Sequence, residues 1–415
     1  NVFGGSKGMT PPANATDKQK SAAAADISGN VTLNLYGGTM DNAFGGSDVN
    51  GNIGGKITVN MLDKEVSGCG LIVHNIYGGG RDAAYTPTTP GAYPEVNLIH
   101  GTVSKKAVTS GNNTTYTGGN VFGGGLGNTA VVTSNPKVNV GYATTMSTLV
   151  TSLLPSNTSL TTANVTVEGN VYGGGDAAAV TGNTSVTLQK HTAENFTSNS
   201  TVSGDIYGAG NLADVSGNST VNITGGTVTQ DVYGGGALAN VGTANASNTT
   251  QVTVSGGSVR NVYGGGLGRN ADNTNSNNPI SAVEAKVFGA VTVTVTGGNV
   301  TNVYGCNNLN GAPQSTVAVN INGTAIPTAP ANYTITNVFG GGNQAAYTGT
   351  PVVSITGSSY VENVFGGGNE ASVGATNVTI NTTANTSNAT NSGIAKVFGG
   401  GNQAGVTGII LHQIA

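Results

Sequence analysis

Valine, isoleucine and threonine alternate with small polar residues in short runs along most of the chain. T-V-N-I-T, Q-V-T-V-S, V-T-V-T-V-T and N-V-T-I-N each have a period of two. That period puts apolar side chains on one face of a strand and polar ones on the other. Gly-Gly and Gly-Asn pairs punctuate the runs, as backbone bends require. Two stretches depart toward helix. Residues 17–26 read D-K-Q-K-S-A-A-A-A-D behind Thr16, a candidate N-cap, and residues 143–154 are amphipathic and run into Pro155.

The strands fall into a repeat. Residues 224–236 read T-G-G-T-V-T-Q-D-V-Y-G-G-G, and residues 253–266, 295–305 and 355–368 repeat that grammar. The aromatic before the glycines marks each copy: Phe3, Phe44, Tyr77, Phe122, Tyr172, Tyr207, Tyr233, Tyr263, Tyr304, Phe339, Phe365 and Phe398. The shortest spacing is 26 residues, Tyr207 to Tyr233, and the longest is 50, Phe122 to Tyr172. A fixed minimum with variable additions means one supersecondary unit per repeat, with insertions held in loops.

The expected fold is all-β: a single parallel β-solenoid of about twelve coils over residues 1–415, each coil of about three short strands. Residues 1–121 form irregular, more charged coils and residues 122–415 more regular ones. At roughly 4.8 Å per coil the twelve coils make a rod roughly 55 Å long. In-register stacking turns the markers into an aromatic ladder, with Val and its alternates as the favoured core row. Asn211, Asn307, Asn343, Asn369 and Asn402 follow the glycines and predict a partial Asn ladder. Insertions join the repeat at two points, one after the glycines and one before the next N-V-Y/F.

Composition agrees with a solenoid rather than a compact domain. Of 415 residues 68 are Gly and only 8% are charged, which suits a core one side chain thick. The net charge is −4, with no basic stripe, so nucleic acid is not an expected partner. No apolar run reaches the ~20 residues of a membrane span. The chain begins at Asn1, without Met or a signal peptide, which points to processing or to a segment of something longer. Cys69 and Cys306 lie about seven coils apart, roughly 34 Å, too far for a mutual disulfide. Cys306 replaces a marker glycine and reads as a buried free thiol.

Catalytic chemistry has little to stand on. His74, His100, His191 and His412 sit in different repeats without a shared motif. The strands are nearly free of Asp, Arg and Lys. Asp82 and Asp176 follow glycine triplets as in calcium-binding nonapeptide repeats, but the carboxylates do not recur. No cofactor is expected. Outward Thr292, Thr294 and Thr296 suit a solvated strand face, with ice binding as a minor alternative. N-x-S/T sequons occur at Asn183, Asn218, Asn248, Asn332, Asn381 and Asn388.

Ile409, Ile410 and Leu411 abandon alternation in the last coil. With no obvious charged cap at either end, Val2, Phe3, Ile409, Ile410, Leu411 and Ile414 form a candidate subunit junction for self-association into a homopolymer. The V-Y/F-G-G-G-N-x-A repeat, clearest between residues 170 and 405, resembles Gly-rich repeats of very large bacterial cell-surface and adhesin-like proteins. That resemblance implies an extracellular or cell-surface, non-catalytic rod or fibre. The alternative is a glycan-binding or glycan-cleaving β-helix with its site in the inserted loops, and surface glycans as partners.

Overall fold

The computed structural model describes residues 1–414 except 65–69, 112, 155–159, 161, 194–196, 245–246, 325–332 and 383–392. The fold is a parallel β-solenoid. The chain divides into two compact units, Asn1–Ile206 with Gly210–Val215, and Tyr207–Ala209 with Ser216–Ala415. The change in regularity after residue 121 does not coincide with this division.

In the first unit one side of the coil stacks Val31–Leu35, Ile57–Leu62, the start of Pro94–Val103, and Lys137–Val140 on Thr184–Leu188. The register runs Leu33 to Val59 to Val96 to Val138 to Val186. A second side stacks Phe3 on Phe44, Tyr77, Phe122 and Tyr172 in parallel. The alternation explains the core: Val59, Val96, Val138 and Val186 are fully buried. Burying such a side chain contributes about 1.5–3 kcal/mol.

The second unit repeats this more strictly. Val221, Val252, Val293, Val319, Val353 and Val378 align coil to coil, and His412 takes that position in the last strand. Strands Thr249–Tyr263 and Ala290–Tyr304 run through both sides of a coil without a break. They turn at Gly257 and Gly298, whose φ of 82° and 78° suits glycine, and the register shifts there.

The third expected strand is reduced to single bridges. Tyr85 pairs with Val132 and Val132 with Val180; Val241 pairs with Val287, and Tyr347 with Val373 and then Val406. The glycine turn and the nearby insertions leave one residue per coil in pairing geometry on that side.

Insertions supply the departures from parallel pairing. Helix α1, Asp17–Ala24, starts at Thr16 in a capping box with Gln19. A 3₁₀ turn, Thr144–Met146, leads into helix α2, Ser147–Leu153, whose Val150 packs with Leu62, Ile99, Tyr142 and Ala163. Pro155 lies outside the described residues. Lys105–Ser110 and Asn113–Gly118 form an exposed antiparallel hairpin that alternation alone did not predict.

Candidate functional site

The aromatic markers stack within each unit. In the first unit Phe3, Phe44, Tyr77, Phe122 and Tyr172 follow one another with centroids 4.7–4.9 Å apart. In the second, Tyr207, Tyr233, Tyr263, Tyr304, Phe339, Phe365 and Phe398 follow at 4.6–4.9 Å. Interplanar angles stay within 11°. Each stacked pair adds about 0.5–1.5 kcal/mol beyond burial.

Alternation sends Val and the neighbouring ring to opposite faces, yet both are buried. Val232 is 0% exposed and Tyr233 2%. The ring row is covered because the turn after the glycines lies beside it. Asn308 in that turn donates through Nδ2 to the Tyr233 hydroxyl at 2.8 Å.

The Asn ladder after the glycines needs one correction. Asn402 donates to Asn369 (2.9 Å), Asn369 to Asn343 (2.8 Å) and Asn343 to Asn308 (3.0 Å). Asn307 is not in it. It occupies the third-glycine position, is fully buried, and donates to the carbonyls of Ala285 (2.7 Å) and Asn310 (3.2 Å). Asn211 donates to Asp176 in the corresponding place of the first unit, at 2.6 Å.

Further ladders were not anticipated, among them a short one in the first unit in which Asn75 donates to Asn42 and Asn42 to Asn1, both at 2.9 Å. The residue two before the aromatic forms one: Asn363 donates to Asn337 (3.0 Å), Asn337 to Asn302 (2.7 Å), Asn302 to Asn261 (2.7 Å) and Asn261 to Asp231 (2.8 Å). The N-V-Y/F motif carried this signal. In the first unit Asn139, Asn97, Asn60 and Asn34 form another, with bonds of 2.9–3.0 Å. Its signal was an Asn at a fixed place in four successive strands.

In the second unit both ladders converge on one carboxylate. Asp231, 5% exposed, accepts from Asn261 and from Arg260 Nε at 2.9 Å. The Tyr233 hydroxyl, which ends the other ladder, donates to it at 3.3 Å. The donors in both ladders point toward the charge, so each bond polarises the next in the favourable sense.

The last coil departs from the rows it continues. Lys396 aligns with Asn363, and His412 with Val378. Ile409, Ile410, Leu411 and Ile414 are 78%, 51%, 44% and 70% exposed, and Phe398 44%. At the other end of the chain, Val2 and Phe3 are half-buried and pair with Ala43 and Phe44.

The four histidines stay apart. His74 Nδ1 lies 2.8 Å from the Ser104 carbonyl, and His100 Nδ1 accepts from the Asn164 backbone at 3.0 Å. His191 packs on Tyr142, and burial lowers its pKa. Cys306 is a buried free thiol, its pKa pushed up by burial. Cys69, Asn332 and Asn388 lie outside the described residues. Among the described residues no group of three or more His, Cys, Asp or Glu stands together, and no helix is long and apolar enough to cross a membrane. No family model, curated protein or solved structure matches the chain.

Proposed function

We propose that this chain is a non-catalytic structural protein of the cell exterior, whose coils associate end to end into a filament or an adhesin stalk. The observation that carries this reading is the coil-to-coil stacking of the second unit, where rings recur at 4.6–4.9 Å and Asn amides bond at 2.7–3.0 Å in unbroken rows. Ile410–Ile414 continues the stack in parallel with Thr376–Thr382, and with Ile410, Leu411 and Ile414 44–70% exposed it is a face on which a further coil, of this chain or of a second copy, can pair. Stacking of aromatic rings and Asn amides at the coil repeat offers the same bonds to an added coil. The resemblance of the repeat to Gly-rich cell-surface proteins supports a role outside the cell.

Lys396 and His412 work against indiscriminate pairing, since charged and inward-pointing polar residues blunt edges. A true junction accommodates both. Electron microscopy across a concentration series tests the reading. Uniform filaments at high concentration are expected, with longer ones for His412→Val. Dispersed particles at every concentration, for both proteins, would remove the filament.

A further inference from the structure

The second unit carries a groove of about 540 Å³ between its two ladders. One wall is Asn302, Asn337 and Asn363; the other is Asn369 and Asn402. Tyr304, Phe339 and Phe365 line it between those walls, and Lys396 stands near the open ends of both ladders. We infer that this groove binds a linear neutral glycan, laid along the coils with its hydroxyls against the two rows of amides. The inference does not rest on the filament reading, and it puts the contact on the coil face rather than in the inserted loops.

The chemistry follows from what each ladder leaves over. An Asn amide has two N–H donors and an oxygen with two lone pairs. Asn337 spends one donor on Asn302 and one lone pair on Asn363. Asn369 does the same with Asn343 and Asn402. One donor and one lone pair per residue remain outside each ladder. Asn363 ends its row because Lys396 stands at the next position, and among the described residues no Asn donates to Asn402. The stacked rings show their edges sideways, and ring edges are the positive part of the aromatic quadrupole. The groove thus offers donors and acceptors together, in two rows, repeating at the coil step.

Hydroxyl groups both donate and accept, so they match such walls. Spacing separates a glycan from an extended peptide. Same-side groups of a strand recur at roughly 6.6 Å, twice its rise, whereas the ladder step is roughly 4.8 Å. In an extended β-1,4-linked chain successive pyranose rings face opposite ways, so same-side groups recur every second ring, a length close to two coil steps, roughly 9.6 Å. The lining suits a neutral chain rather than a polyanion, because apart from Lys396 every residue lining the groove is uncharged. Coils seven and eight lack the second amide wall, because Ala237 and Leu267 stand at the position of Asn308 and Asn343.

The test is calorimetric titration of the whole protein with cellohexaose, mannohexaose and xylohexaose. An anionic oligogalacturonate and an extended, uncharged peptide serve as comparison ligands. Saturable binding of at least one neutral hexasaccharide is expected, weakened roughly tenfold or more in the Asn363→Leu, Asn402→Leu double variant. Both residues end their ladders, so each substitution removes one ladder bond. Should that variant melt early, side-chain amide NMR of the unmodified protein decides instead. Shifts confined to Asn302, Asn337, Asn363, Asn369 and Asn402 support the groove. Three results would overturn it: no saturable binding of any neutral hexasaccharide, binding unchanged by the substitutions, or tighter binding of the peptide or the oligogalacturonate.

Discussion

Asn308 and Tyr233 are joined side chain to side chain, 2.8 Å from amide nitrogen to phenol oxygen, although 75 residues separate them. This bond carries the ladder that begins at Asn402 over to the buried carboxylate of Asp231. The other ladder, from Asn363, reaches the same carboxylate through Asn261. Two rows that look independent in the sequence therefore share one anionic end.

Asp231→Ala should be costly for that reason. It removes the buried carboxylate that accepts from the Asn261 amide, the Arg260 guanidinium and the Tyr233 hydroxyl, a loss of about 2–4 kcal/mol. Asp231→Asn keeps an acceptor and matches the amides of the following coils, so it should cost less. Denaturation of the three proteins checks the order. Equal stability of the Ala variant and the parent would show that the convergence has no energetic weight.

Alkaline pH should weaken the fold through its tyrosines. Burial pushes the phenols of Tyr304 and Tyr347 up to about 12 from an ordinary value near 10. Tyr77, Tyr85 and Tyr172 shift in the same direction, also through burial. The folded state holds these protons where the unfolded state releases them. Their contribution is complete below about pH 10 and is lost as pH rises through about 12. Site-resolved tyrosine NMR across a pH series should show the Tyr304 and Tyr347 phenols ionising together with unfolding. Ionisation of those two well before the fold is lost would contradict their burial.

Gly305 and Gly29 give a paired test of close packing. A methyl on Gly305 would press on the Gly340 carbonyl of the next coil and lie 2.7 Å from Val317 Cγ1. Backbone cannot yield there without opening the coil spacing, so Gly305→Ala should lower stability by about 1–3 kcal/mol. At Gly29 an added methyl meets nothing within 4 Å, and Gly29→Ala should be neutral within about 0.5 kcal/mol. Thermal melts of both variants make the comparison.

The Cys306 thiol should be silent in the folded protein. It is 0% exposed, and burial raises its pKa, which suppresses the reactive thiolate. On a Cys69→Ser background, labelling by a disulfide reagent at neutral pH should follow unfolding rather than reagent concentration. Rapid labelling of the native protein would place the thiol at the surface.

Much of this fold could be read from spacing. A period of two, glycine bends and recurring aromatics are local patterns, and parallel in-register stacking turns them directly into rows. The failures arise where a row depends on counting within a turn. Asn307 and Asn308 are adjacent and chemically identical, but only Asn308 stands four residues past its aromatic, as Asn343 does past Phe339. Cys306 and Asn307 fill glycine positions and disguise the frame. The ladder through Asn302, Asn337 and Asn363 was visible as N-V-Y/F, but its amide side-chain bonds depend on coil-to-coil register. The hairpin of Lys105–Ser110 and Asn113–Gly118 pairs antiparallel, and nothing in its alternation distinguishes it from a coil strand. The convergence on Asp231 joins residues from different coils and could not be read from any one repeat.

Successive coils of the second unit meet through nearly the same contacts each time. Tyr304 stacks on Phe339 at 4.8 Å and Phe339 on Phe365 at 4.8 Å, while Asn337 and Asn363 donate to their predecessors alike. Residues 340–365, one of the two shortest coils, could be lost or doubled in a gene, and the neighbours would still find the partners they expect. Length is then something descent can adjust by recombination between similar repeats, with no new interface to invent.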